Sequence, residues 1–339
     1  MDQVVQFMES TPTTENYFRG VVLFGRNVAS YKFALAKSLI ELAESGIEQV
    51  SLEVLAEPFS RNLCEHLQET PKQATSSSSR FLDVCRQFNG GNVTQDELIR
   101  QTARLGFANV IDAFHVVGKG EIPIRFFIDE RKGNTKGIRL TDQIFNLATD
   151  AGVQSLLETE ARWRLVENAW EIGITNSLIS YDMDTGLFVP SGRRTNLSSA
   201  RDTLNGYQKG RCFYCYKSIS LSATGDVGSE VDHLFPHTLL RRGFMDDLDQ
   251  VWNLVLACID CNRGVGGKFD SSPDVSYVDR LAKRNDYLIE SNLPIKETLI
   301  LQTGNTKEKR YVFLQDKLAT ASSILPHSWS TTALFDPTF

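Results

Sequence analysis

The chain has 339 residues, of which 41% are hydrophobic and 23% are charged, and its formal net charge is −6. This length predicts two or three globular domains. The acidic balance argues against tight, non-specific binding of nucleic acid, because such binding needs many cationic contacts to phosphates. The apolar stretch at residues 20–25 is far shorter than the ~20 residues of a membrane span, and the polar start of the chain does not resemble a secretory signal. We therefore expect a soluble, cytoplasmic protein that does not contact membranes.

The N-terminal region, residues 1–195, is predicted to be a mainly α-helical domain. Apolar residues recur with helical spacing over residues 27–45, and a second helix is expected from the mid-50s to Glu69. A Thr94–Glu97 capping box begins a third helix, residues 122–128 are predicted to form a strand, and residues 159–172 a further helix with Trp163 and Trp170 in the core. No catalytic pattern is apparent here, so we expect a targeting, partner-binding or sensor role.

A loop at residues 190–194 is predicted to separate this domain from a second one, residues 196–275, which carries the motifs described below. The remaining residues, 276–339, are predicted to be a C-terminal extension. In it, two extended runs at residues 297–302 and 309–315 flank Gly304-Asn305, which predicts a β-hairpin.

Four of the six cysteines form two CxxC pairs, Cys212 with Cys215 and Cys258 with Cys261. A CxxC turn directs two sulfurs at one point, and two such turns supply the four thiolates of a closed, structural zinc site. Disulfides are not expected in a reducing compartment, and redox CxxC motifs usually occur singly. The other cysteines, Cys64 and Cys85, lie in apolar patterns and are predicted to be small buried hydrophobic residues.

The segment between the two pairs contains an Asp232-His233 step, and Asn253 precedes the apolar run 254–257. Asn262 directly follows the second pair. An Asp-His step, a downstream Asn before an apolar strand and a CxxC-Asn ending resemble the HNH (ββα-metal) endonucleases over about residues 212–270. The resemblance implies two antiparallel strands and a helix gripping one metal ion, fastened by a four-cysteine zinc knuckle, within an α+β chain.

Hydrolysis of a phosphodiester needs a deprotonated water and stabilisation of charge on the phosphate and on the leaving oxygen. Asp232 and Asn262 are expected to hold a divalent metal, and His233 on the opposite side of the strand is expected to be the general base. The resemblance implies that Asn253 is structural: it holds the loop between the two strands and so orients His233. The family often ends its motif in His; Asn262 in that place, with one carboxylate, favours Mg²⁺ or Mn²⁺ over zinc at this second site.

Several neighbouring side chains are weaker candidates. Arg263 and Lys268 could bind phosphate, although a solvated helix face is the simpler interpretation. His237 could bind a metal or phosphate or be merely exposed, while Glu230 and Asp270 could tune the site from nearby. By contrast, His66 and His115 are expected to be core histidines.

The favoured function is therefore a metal-dependent DNA endonuclease, with RNA a less favoured substrate. Such a site contacts mainly the backbone, so targeting is expected to come from the rest of the chain or from a protein partner or activator, as in a phage-defence or restriction system. Two alternatives remain. One is a non-catalytic zinc module that binds nucleic acid or protein; the other is a redox or zinc-sensing regulator, which would have reactive thiols.

Overall fold

The computed structural model describes residues 3–25, 28–76, 78–118, 120–133, 136–172, 179–182, 186–190, 198–221, 228–291, 295–325, 327–332 and 335–339. Helices and small sheets both occur, which agrees with the expected α+β class. No helix among these residues is long and apolar enough to cross a membrane.

The helices, in chain order, are α1 (Gln3–Glu9), α2 (Thr14–Phe24), α3 (Tyr31–Glu44), α4 (Leu52–Glu69), α5 (Arg80–Asn89), α6 (Gln95–Leu105), α7 (Val110–Ala113), α8 (Asp142–Ile172), α9 (Ala200–Gln208), α10 (His237–Arg241), α11 (Ile259–Arg263), α12 (Val275–Glu290), α13 (Ile295–Thr303) and α14 (Lys307–Ile324). The strands are β1 (Gln49–Ser51), β2 (Val116–Val117), β3 (Gly120–Glu121), β4 (Phe127–Glu130), β5 (Gly137–Leu140), β6 (Ile179–Asp182), β7 (Leu187–Pro190), β8 (Ser198–Ser199), β9 (Ser229–His233), β10 (Leu254–Cys258), β11 (Ser272–Pro273) and β12 (Ser328–Trp329).

The chain forms two compact units. The N-terminal unit is Pro12–Gly173, and the C-terminal unit is Met1–Thr11 together with Ile174–Phe339. The expected domain boundary at residues 190–194 falls mostly on residues outside the described ranges. The segment 276–339, expected to be an extension, belongs to the same unit as the cysteine pairs.

The N-terminal unit is built on α3, which packs against α4 and α8. The helices α2, α4, α5 and α6 begin at side-chain caps; the Thr94 hydroxyl, for example, accepts a hydrogen bond from the amide of Glu97. The helix expected at residues 159–172 is part of the longer α8, which is interrupted by non-helical backbone at Ala151. The strand β4 overlaps the expected strand 122–128 only at its end, because Pro123 cannot donate a ladder hydrogen bond.

Two histidines and two tryptophans lie in the core of the N-terminal unit, as expected. Trp163 and Trp170 are buried, and the ring of His66 stacks on Trp163 with the ring centroids 3.5 Å apart. His115 is buried and accepts a hydrogen bond from the amide of Phe126. Cys64 and Cys85 are also buried.

The β-hairpin predicted for residues 297–315 is wrong, because this segment forms the helices α13 and α14. Gly304 lies between them with a φ of +122°, which ends the first helix. The Thr306 hydroxyl then accepts a hydrogen bond from the amide of Lys309 and caps the second. The buried residues of α14, which include Arg310, Leu314 and Ala321, recur at helical spacing.

Two antiparallel strands form the centre of the C-terminal unit. In this pair, β9 and β10 place His233 opposite Leu254 and Ser229 opposite Cys258. All of β10 is buried, and α11 follows it directly and packs on both strands. Gln208 of α9 is fully buried, and its side-chain amide donates to the carbonyl and accepts from the amide of Leu256, which fixes α9 against β10.

Candidate functional site

The four cysteines of the two CxxC pairs meet in one buried cluster. Their sulfurs all lie within 4.8 Å of one another. The sulfurs of Cys215 and Cys258, one from each pair, are 3.8 Å apart. A zinc ion bound at about 2.3 Å to four sulfurs in a tetrahedron places those sulfurs about 3.8 Å apart, whereas a disulfide bond is only about 2.05 Å long. The spacing therefore fits a metal ion such as zinc.

Backbone amides and the neighbouring strand hold the cysteine turns in place. The amide of Cys258 donates to the sulfur of Cys212 at 3.3 Å, and that of Lys217 donates to the sulfur of Cys215 at 3.4 Å. Such donors stabilise thiolates. The amide of Phe213, inside the first turn, donates to the carbonyl of Leu256 at 2.9 Å, so the turn is fastened to β10.

Arg280 of α12 supports the first cysteine turn. The Arg280 guanidinium donates to the carbonyls of Phe213 and Tyr214 and lies 4.1 Å from the ring centroid of Tyr216. Burial lowers the pKa of Arg280 below its usual value. No sequence pattern indicates this contact, because Arg280 is far along the chain from the turn it supports.

The first cysteine turn also contacts the Asp232 carboxylate. Tyr214, between Cys212 and Cys215, donates its hydroxyl to Oδ2 of Asp232 at 2.5 Å. Burial raises the pKa of Tyr214 well above its usual value, and the charge of Asp232 adds to this rise, so the phenol remains a donor. The ammonium of Lys268 lies 3.2 Å from the same carboxylate oxygen and donates to the carbonyl of His233 at 2.8 Å. Lys268 is fully buried, and Asp232 is 11% exposed.

Glu230 shares the strand face of Asp232, two residues along β9. The side-chain amide of Asn262 donates to Oε2 of Glu230 at 2.9 Å, and the exposed Arg263 guanidinium pairs with the same carboxylate at 2.6 Å. Burial tends to raise the pKa of Glu230, but the hydrogen bonds from Arg263 and Asn262 outweigh it and lower that pKa. The structure thus joins Asn262 directly to Glu230.

Asn253 ties together the two ends of the loop between β9 and β10. Its side-chain oxygen accepts a hydrogen bond from the amide of Phe235 at 2.8 Å. Its side-chain nitrogen donates to the carbonyls of Phe235 at 3.0 Å and of Leu248 at 2.9 Å. The side chain is fully buried, so these bonds have no competition from water.

His233 lies on the opposite side of β9 from Asp232 and is 7% exposed. Its Nε2 lies 2.9 Å from Oδ1 of Asp249, and Nε2 of His237 lies 3.3 Å from the same oxygen. The hydrogen bond from His233 is the main reason that the pKa of Asp249 lies below its usual value.

The residues selected from the sequence thus fall into three contact groups. Asp232 and Lys268 lie together, Glu230 joins Asn262 and Arg263, and His233 and His237 share Asp249. Asp270 is exposed. Sequence reasoning missed Tyr214 and Asp249; the tyrosine inside a CxxC turn was a usable signal, whereas the loop residue Asp249 had none.

No protein-family model matches the chain, and neither curated proteins nor solved structures give a match.

Proposed function

We propose that the chain is a metal-dependent endonuclease of the HNH type that hydrolyses phosphodiester bonds in DNA. The observation that carries this proposal is the β9–β10–α11 arrangement, in which one short strand presents Asp232 and His233 on opposite sides. Asn253 fastens the loop that follows this strand, and the cysteine cluster fastens the far end of β10. Asn262 on α11 faces the acidic side of β9 through Glu230.

In this proposal His233 removes a proton from the attacking water. A histidine suits this step because imidazole is a common general base in enzymes that act at neutral pH. The attacking water must reach the ring, and 7% of the His233 surface is exposed. Lys268 donates a hydrogen bond to the carbonyl of His233 and so supports the backbone that carries the ring.

The acidic side of β9 is proposed to hold Mg²⁺ or Mn²⁺ through Asp232 and Asn262, with Glu230 supporting the amide. Oxygen donors of this kind suit hard divalent cations. When bound, such an ion stabilises charge on the phosphate and the leaving oxygen. The Lys268 ammonium already compensates the charge of Asp232, so a divalent cation has to displace this ammonium from the carboxylate. In the described conformation, Lys268 is directed at Asp232 rather than at solvent.

The cysteine cluster is proposed to hold structural zinc. Four sulfur ligands complete a tetrahedron and leave no position for a substrate. Zinc would therefore connect the segment before β9 to the end of β10 and leave catalysis to the other residues.

The proposed substrate contacts are local, because the chain as a whole is acidic. Arg241, Arg242 and Arg263 are exposed and can contact phosphates. Contacts of this kind carry no sequence information, so we propose that a partner or activator directs cleavage, as in a phage-defence or restriction system.

The first test is cleavage of supercoiled plasmid by wild type and His233→Ala, with Mg²⁺, with Mn²⁺ and with EDTA. The matched control is His327→Ala, which removes an exposed histidine from the same unit. We expect cleavage by wild type and the control, and none by His233→Ala or with EDTA. Equal cleavage by His233→Ala contradicts the assignment of the base.

A non-catalytic zinc module is the second candidate, and one observation favours it. Both proposed ligands of the divalent ion already have protein partners: Asp232 binds Tyr214 and Lys268, and Asn262 binds Glu230. A module of this kind binds its partner equally well with and without Mg²⁺. Binding of a DNA duplex by wild type without cleavage under any metal condition selects this candidate.

A further inference from the structure

Asp249 receives two imidazole nitrogens at one carboxylate oxygen. Nε2 of His233 lies 2.9 Å from Oδ1, and Nε2 of His237 lies 3.3 Å from it. The three residues come from different parts of the fold: His233 ends β9, His237 begins α10, and Asp249 lies in the loop before β10.

The contact is best explained as hydrogen bonding. Among the residues that the structure describes, the four cysteines form the only group of three or more His, Cys, Asp or Glu side chains with the spacing of a metal site. An ionised carboxylate can only accept hydrogen bonds, so the proton between Asp249 and His233 belongs to Nε2 of the histidine. In a neutral imidazole the other nitrogen, Nδ1, then carries no proton and can accept one.

The position of Asp249 is itself fixed. Its neighbour Leu248 accepts a hydrogen bond from the Asn253 side chain, which also binds Phe235, two residues after His233. One buried asparagine therefore sets the distance between the strand that carries the histidine and the loop that carries the carboxylate. The backbone of His233 is fixed as well, because Lys268 donates a hydrogen bond to its carbonyl.

We infer that Asp249 is a positioning residue, which fixes the ring of His233 in the Nε2–H tautomer and so presents Nδ1 as the proton acceptor in phosphodiester hydrolysis. This inference rests on the function proposed above. It assigns a role to a residue that the motif resemblance does not include.

The test combines a spectroscopic readout with kinetics, using Asp249→Asn. Asparagine keeps the shape of the side chain but can offer Nε2 a donor in place of an acceptor, so it no longer imposes one tautomer. The matched control is Asp246→Asn, which makes the same change at an exposed position in the same loop. Nitrogen-15 NMR of histidine-labelled protein reports the tautomer, and His233→Gln assigns the signal among the five histidines.

We expect the Nε2–H tautomer at His233 in wild type and in Asp246→Asn, and its loss in Asp249→Asn. We expect the kcat of Asp249→Asn to fall by at least about tenfold, while KM for DNA stays unchanged. The largest expected loss is the whole contribution of general-base catalysis, which is about 10²–10⁴-fold. A wild-type ring in the Nδ1–H form overturns the inference even if the variant fails to fold. Unchanged tautomer and kcat in folded Asp249→Asn also overturn it.

Failure of the proposed function gives a different pattern. If wild type does not cleave DNA under any condition, the catalytic part of the inference fails with the proposed function. The tautomer measurement then still decides whether Asp249 fixes the His233 ring.

Discussion

Replacing Asn253 with alanine tests whether a single buried amide holds the candidate site together. The substitution removes the partner of three backbone groups: the amide of Phe235 and the carbonyls of Phe235 and Leu248. All three residues involved are fully buried.

The expected cost follows from these three contacts. A buried polar group that loses its partner costs about 1–3 kcal/mol. A water molecule can enter the space that the amide leaves and satisfy part of this loss. We therefore expect Asn253→Ala to lower the opening free energy of the β9–β10 pair by about 3–5 kcal/mol.

Native-state hydrogen exchange of the β9 and β10 amides measures this free energy without requiring both units to unfold in one step. The matched control is Asn262→Ala, which removes a half-buried amide with a 2.9 Å hydrogen bond to Glu230. We expect a loss of about 1 kcal/mol or less for that variant. A cost below about 1 kcal/mol for Asn253→Ala, or equal costs for both variants, would refute the reasoning.

Two further predictions concern the cysteine cluster and the N-terminal unit. Purified protein should contain about one zinc ion per chain. Cys258→Ser should lose both the zinc and the near-ultraviolet circular dichroism of the folded C-terminal unit. Well-folded protein that contains no metal would argue against a zinc site at the cysteine cluster. Burial lowers the pKa of His66, but its hydrogen bonds to Glu160 and Glu167 outweigh burial and raise that pKa above 6.5. Because the folded pKa is the higher one, the stabilisation is complete below about pH 6.5 and is lost as pH rises through the folded pKa. In urea unfolding of the N-terminal unit, the free energy of unfolding of wild type should therefore fall above this pH. The fall should be smaller in His66→Gln, whereas His327→Gln should behave like wild type. The same dependence of the unfolding free energy on pH in wild type and His66→Gln would contradict this account.

The sequence predicted the candidate site best where residues close together in the chain act together. A CxxC turn brings two sulfurs together by local geometry alone, so convergence of the two pairs needed only one long-range contact, which the β9–β10 pairing supplies. The strand alternation of Asp232 and His233 followed for the same reason. Asn253 was expected to support the loop, and its three hydrogen bonds are contacts of that kind.

Long-range and capping effects explain what was missed. The extended runs around Gly304 resembled a hairpin because their apolar residues suit strands, but the Thr306 cap and the burial of Leu314 and Ala321 favour helices. Asp249 could not be selected from the sequence, since a single acid in a polar loop is common. Only the folded loop brings it to His233.

Tyr214 belongs to the cysteine turn and to the acidic side of β9 at once. A change at Cys212 or Cys215 therefore also changes the surroundings of the Asp232 carboxylate, because Tyr214 lies between the two cysteines and donates to that carboxylate. Oxidants and thiol-reactive compounds would act on this protein at a distance from the residues that they modify. A substitution in the first cysteine turn is in the same way a change in the surroundings of Asp232.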